Sequence, residues 1–127
     1  MPRTQIKTDQ APAAIGPYSQ AIANGDTVYL SGQIPLDPAT GEVISDDIST
    51  QITQVFDNLE AVANAAGGSL TNAVKINVFL TDLSHFALVN AIMTERLTLP
   101  YPARAAVEVS ALPKGVAVEA DAILVIG

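Results

Sequence analysis

DDISTQITQVFDNLEAVANAAGGSLTNAVKINVFL, residues 46 to 80, changes its hydrophobic period once, and that change decides the fold. Ile48, Ile52, Val55, Phe56, Leu59, Val62, Ala63 and Ala66 recur in steps of three and four, which predicts a helix with one apolar face over 48 to 66. Asp46 or Asp47 can accept hydrogen bonds from the free N–H groups at its start. Gly67 and Gly68 can take the left-handed backbone that ends it, so the glycine pair reads as a cap and not as a phosphate loop. Residues 73 to 80 then read as a strand.

Toward the N-terminus, a short strand is expected at 4 to 6. AIANGDTVYLSGQIPL, 21 to 36, carries Asn24-Gly25 between apolar stretches, a hairpin signal with a strand over 27 to 31. Asp37 to Gly41 is a polar turn facing solvent. Toward the C-terminus, a second helix is expected over about 84 to 97, with Phe86, Val89, Ile92 and Met93 toward the core and Pro100 and Pro102 blocking its continuation. Strands at 103 to 109 and 116 to 126 follow, joined through Leu112-Pro113-Lys114-Gly115 and expected to pair as a hairpin. The order predicts an α+β fold, a mixed sheet with two helices packed on one face, in a single domain over 1 to 127. The sheet face without helices would leave an apolar patch that self-association buries, so a homo-oligomer is expected.

Composition narrows the function. Thirteen acids against six Lys and Arg give a net charge of −7, unfavourable for a nucleic-acid partner. The absence of cysteine removes disulfides, thiol nucleophiles and thiolate metal sites, and one histidine leaves little for zinc. No apolar run approaches the roughly 18 residues that span a bilayer, and the first ten residues lack an apolar core, so no membrane partner and a cytoplasmic location are expected. Asp37, Glu42, Asp46 and Asp47 do not match a calcium loop, and neither a dinucleotide nor a Walker pattern is present. No metal is expected. A catalytic role for His85 would need a nucleophile elbow such as G-x-S-x-G, which is missing, and the residue reads as a polar helix start.

Two residues stand out. Arg104 lies in YPARAAVEVSAL, a run otherwise suited to burial, and strand alternation puts it on one face with Ala106, Glu108 and Ser110. Small alanines leave room for a ligand, and a guanidinium matches a carboxylate with paired donors; an ion pair with Glu108 or Glu119 is the alternative. Glu119, in VAVEADAILVIG, shares a face with Asp121. In a partly desolvated cleft its carboxyl group could take a proton from water and pass it to a leaving amine, whereas alternation alone would equally give a solvated strand face.

APAAIGPYSQA (11–21), SGQIPLDPATGE (31–42), VFLTDLSHFALVN (78–90), PARAAVEVSALPKG (102–115) and VEADAI (118–123) together resemble the RidA/YjgF family of reactive-intermediate imine deaminases, in order and over nearly the whole chain. The resemblance implies a chorismate mutase-like fold and a homotrimer with ligand clefts between subunits. It also implies cofactor-free hydrolysis of 2-imino acids such as 2-iminobutanoate and 2-iminopropanoate to 2-keto acids and ammonia. Carried over by motif, Arg104 clamps the substrate carboxylate, Glu119 handles the water, and Tyr18 lines the pocket. Ser31, Gly32 and Asn90 match positions beside the cleft, and Ala106 a main-chain contact. A non-catalytic 2-keto-acid binder is the main alternative. A holdase role stays open, and a ribonuclease or translation inhibitor is disfavoured by the charge.

Overall fold

The computed structural model describes residues 2–127. Its elements are β1 (Thr4–Ile6), β2 (Ala21–Asn24), β3 (Thr27–Gln33), α1 (Ile48–Ala65), β4 (Ala73–Leu80), α2 (Phe86–Arg96), β5 (Ala103–Glu108) and β6 (Val118–Val125), with short 3-10 turns before β4, α2 and β6. The strands form one sheet in the order β1-β2-β3-β6-β4-β5.

Local chemistry sets the boundaries. The side chain of Asp47 accepts from Thr50 N at the start of α1. At its end Gly67 takes φ 96°, Gly67 N donates to Asn64 O and Gly68 N to Ala63 O, a Schellman closure of the free carbonyls. The β2–β3 turn is centred on Gly25 and Asp26, one place later than Asn24-Gly25, because Asn24 pairs with Thr27. Positive φ at Gly25 alone of the two is what a type II′ turn requires.

The expected C-terminal hairpin is not formed. β5 and β6 are separated by β4, which pairs with β5 in parallel and with β6 antiparallel. α2 supplies the crossover from β4 to β5, leaving β5 at the sheet edge, while β6 enters between β3 and β4. Alternation in sequence identified both strands but carried no information on their neighbours. Position explains their composition: Val118, Ala120, Ala122 and Leu124 of central β6 are buried, whereas edge strand β5 contributes only one half-buried residue, Ala106.

Ile52, Val55, Phe56, Leu59 and Val62 of α1 pack with the buried sides of β3, β4 and β6 to form the core. The opposite face carries no helix. Tyr29, Val107 and Val125 there are 44–51% exposed, so the predicted uncovered apolar face is present. Cross-strand Asn77 and Asp121 on this face are joined by a 2.8 Å hydrogen bond.

Candidate active site

The sequence-predicted residues form two groups. In the first, Arg104 projects from β5 toward α2. Its Nη1 donates to Asn90 Oδ1 at 2.5 Å and approaches Met93 Sδ at 3.8 Å, and the guanidinium lies 4.7 Å from the Phe86 ring centre. The pitch of α2 explains this grouping: residues 86, 90 and 93 lie on one stripe, which runs over the arginine. A cation over an aromatic face is held without being neutralised. The ion pair with Glu108 or Glu119 does not form. Among the described residues, the paired charges are Arg96 with Asp57 and His85 with Asp82. Glu108 instead accepts from Leu83 N. Arg104 borders a hollow of about 390 Å³, enclosed by the C-terminal half of α2 and by Leu97, Tyr101 and Pro102. Ala106 follows on the same side of β5.

The second group surrounds Glu119 in a hollow of about 460 Å³, with Tyr18, Gly32, Ile34, Leu36 and Pro113 among its walls. A β-bulge builds it. Between the Leu30–Ala122 and Gln33–Ala120 pairs, Ser31 and Gly32 together oppose Asp121. Gly32 is there for space: a Cβ on it would collide with the Glu119 carboxylate, whose Cδ would lie 3.0 Å away. Ser31 Oγ donates to Ser19 O at 2.5 Å, and Ser31 N to Gln20 O, tying the Tyr18 segment to β3. The Tyr18 hydroxyl accepts from Ile15 N at 3.4 Å. Burial raises the Glu119 pKa above its usual value, and the negative charge of Asp121 two residues on adds to the rise. Glu119 is therefore a half-buried carboxyl group and not a freely solvated one.

The two groups do not meet within one chain. Arg104 is opposite Ile76 on β4, and Glu119 is opposite Phe79. Buried Ile76 points to the helical side and Phe79 to the other, so the two functional side chains leave opposite faces of the sheet. Their backbones are roughly 14 Å apart, at about 3.3 Å per residue along a strand and about 4.8 Å between strands. A molecule of a few carbons cannot touch both in one copy.

Sequence reading missed the Phe86 platform, assigned only to the core, although its spacing from Asn90 was visible. It also missed the wall at Ile34, Leu36 and Pro113. Lys114 (φ 58°) reaches Gly41 O at 3.3 Å and joins the predicted polar turn to that wall. No signal for this contact, 73 residues apart in sequence, exists in the local pattern.

A family model described as Endoribonuclease L-PSP matches residues 8–126. The RutC family protein y4sK of Sinorhizobium fredii is 52% identical over 119 residues, 94% of each chain. A 2-iminobutanoate/2-iminopropanoate deaminase of Bos taurus is 44% identical over 125 residues, covering 98% of this chain and 91% of its own. The crystal structure of RidA from an Antarctic Psychrobacter species superposes with a TM-score of 0.93 at 54% identity, over 97% of this chain and 99% of that one. With the α+β sheet and two helices of that structure reproduced and the motifs in order along the whole fold, the chain belongs to the RidA/YjgF family.

Proposed function

We propose that the protein hydrolyses reactive 2-imino acids to 2-keto acids and ammonia, without a cofactor, in clefts completed between subunits of a homotrimer. The observation that carries this reading is the split site: a carboxylate clamp at Arg104 and a proton-carrying acid at Glu119, on opposite faces of one sheet and each beside its own hollow. The uncovered apolar face supports the association that would bring Arg104 of one copy to Glu119 of another. The name of the bovine relative supports the substrate class.

The chemistry follows from the groups present. Arg104, held by Asn90 and Phe86, binds the substrate carboxylate and so fixes the adjacent C=N carbon. Glu119, ionised, takes a proton from a water as its oxygen adds to that carbon, and the C=N electron pair becomes a lone pair on nitrogen. The acid then returns the proton to nitrogen. The hydroxyl of the tetrahedral carbinolamine then gives its proton, by way of Glu119, to the amino nitrogen; C=O forms, the C–N bond breaks and ammonia leaves. The raised pKa suits one carboxyl group to both steps. Tyr18 stands where it can hydrogen-bond water or ligand.

A nuclease reading, carried by the family model's description, lacks electrostatic support: net charge is −7, with six Lys and Arg against thirteen acids. The experiment follows keto-acid release from threonine by a pyridoxal-phosphate threonine dehydratase, with semicarbazide trapping the imine. The wild type should speed release and suppress trapping, and Arg104→Ala should do neither. Saturable keto-acid binding with no acceleration would instead establish a binding protein.

A further inference from the structure

The chain contains no cysteine and two methionines, Met1 and Met93, so Met93 carries the one sulfur atom within the described residues. Its thioether forms part of the wall of the half-open hollow beside Arg104, and its Sδ lies 3.8 Å from Arg104 Nη1. The residue as a whole is buried, so the hollow is the way in for a small solute. Arg104 Nη1 carries two hydrogens. One is donated to Asn90 Oδ1, and the other faces the thioether, which accepts hydrogen bonds only weakly. That second hydrogen is held loosely and remains available to a carboxylate.

We infer that Met93 is a site of reversible oxidation by peroxides, and that its sulfoxide occupies the Arg104 clamp. The sulfur lone pair attacks one oxygen of hydrogen peroxide. An S–O bond forms, the O–O bond breaks, and the departing hydroxide takes the proton left on the transferred oxygen, giving water. Sulfur is oxidised and peroxide is reduced. The sulfoxide oxygen is a far better acceptor than a thioether, and here it takes the Nη1 hydrogen that the thioether leaves free. The hollow of about 390 Å³ has room for it, since a whole water molecule takes about 30 Å³. A thiol-dependent methionine sulfoxide reductase reverses the step: two thiols become a disulfide and the oxygen leaves as water. The effect on activity rests on the deaminase reading above, whereas the chemistry at sulfur and its contact with Arg104 do not.

The protein is treated with hydrogen peroxide at doses that oxidise free methionine, freed of peroxide, and mapped by peptide mass spectrometry. Met93 should carry one added oxygen. In the threonine dehydratase assay kcat/KM should then fall about tenfold or more, the scale of one hydrogen bond to a charged group, chiefly through a higher KM. Methionine sulfoxide reductase with a thiol should restore it. Met93→Leu, of similar volume and without sulfur, should keep its own untreated activity through the same exposure. Two readouts do not depend on catalysis. The Arg104 Nε–H signal in proton–nitrogen NMR, identified by its absence from Arg104→Ala, should shift on oxidation, and 2-oxobutanoate should bind more weakly. If the untreated protein does not speed keto-acid release, the deaminase reading falls and the NMR signal still decides the inference. A Met93 that stays unoxidised, a Met93 sulfoxide that leaves the Arg104 signal in place, or an equal loss of activity in Met93→Leu overturns it.

Discussion

Arg104 and Glu119 are both charged residues placed on strands, yet the fold treats them in opposite ways. Arg104 sits on an edge strand and is exposed, so its charge costs little; α2 spends Asn90 and Phe86 on aiming it. Glu119 sits on a central strand, half-buried, where the bulge and Gly32 make room for it and desolvation holds its proton more tightly. The proposed function uses the first for orientation and the second for proton transfer. On the proposed deaminase reading, the sheet that separates them leaves each copy with two half-sites, and association would be a condition of chemistry as well as of burial.

Removing either half should have the largest effect. Arg104→Ala and Glu119→Gln should each lower kcat/KM by about 10²–10⁴-fold in folded protein, read by the trapping assay. Arg104→Lys should recover little, since a point charge does not reproduce paired donors. Gly32→Ala attacks the second half alone: its Cβ displaces the Glu119 carboxylate, and a loss of about 10²-fold is expected with melting little changed. A loss below tenfold would mean that Glu119 works from another position. Val107→Glu tests the uncovered face; burying an unpaired charge costs several kcal/mol, so light scattering should show smaller species and activity should fall with dissociation. Asn58→Ala is expected to be milder. Its buried Nδ2 donates to Ile34 O and Leu36 O behind the Glu119 hollow, and losing it should cost about 1–3 kcal/mol in denaturant unfolding.

The smallest effect has the most specific sign. Glu119 has a raised folded-state pKa, so the folded chain binds the extra proton and loses stability as pH rises from 4.5 through the raised value. Glu119→Gln, inactive, should therefore melt at or above the wild-type temperature at neutral pH, with the difference closing toward pH 4.5. A variant that melts lower at neutral pH would show that the ionised carboxylate stabilises the fold.

Much of this arrangement was legible in the sequence, to the extent that it is local. The three-and-four spacing of Ile48 to Ala66, a cap at Asp46 or Asp47 and the Gly67-Gly68 stop are properties of contiguous residues, and the structure follows them, with Asp47 as the cap. Arg104 among alanines was conspicuous for the same reason. Strand partnership was not legible: residues 103–108 and 118–125 alternate whether they pair with each other or with β4, and only the crossover through α2 decides. The two halves of the site inherit that gap. Alternation assigns each charged residue to a face of its own strand, but whether those faces coincide depends on the position of β4, which no local pattern records.

The central claim is that a working cleft takes its arginine and its acid from different chains. Arg104→Ala and Glu119→Gln are purified separately, partly dissociated, mixed in equal amounts and allowed to exchange subunits before assay. With random exchange, about a quarter of the clefts should combine an intact arginine with an intact acid, so the mixture should regain roughly a quarter of wild-type activity although each parent is inactive. A mixture that exchanges subunits, as shown by mass spectrometry, and stays as inactive as its parents would contradict the claim.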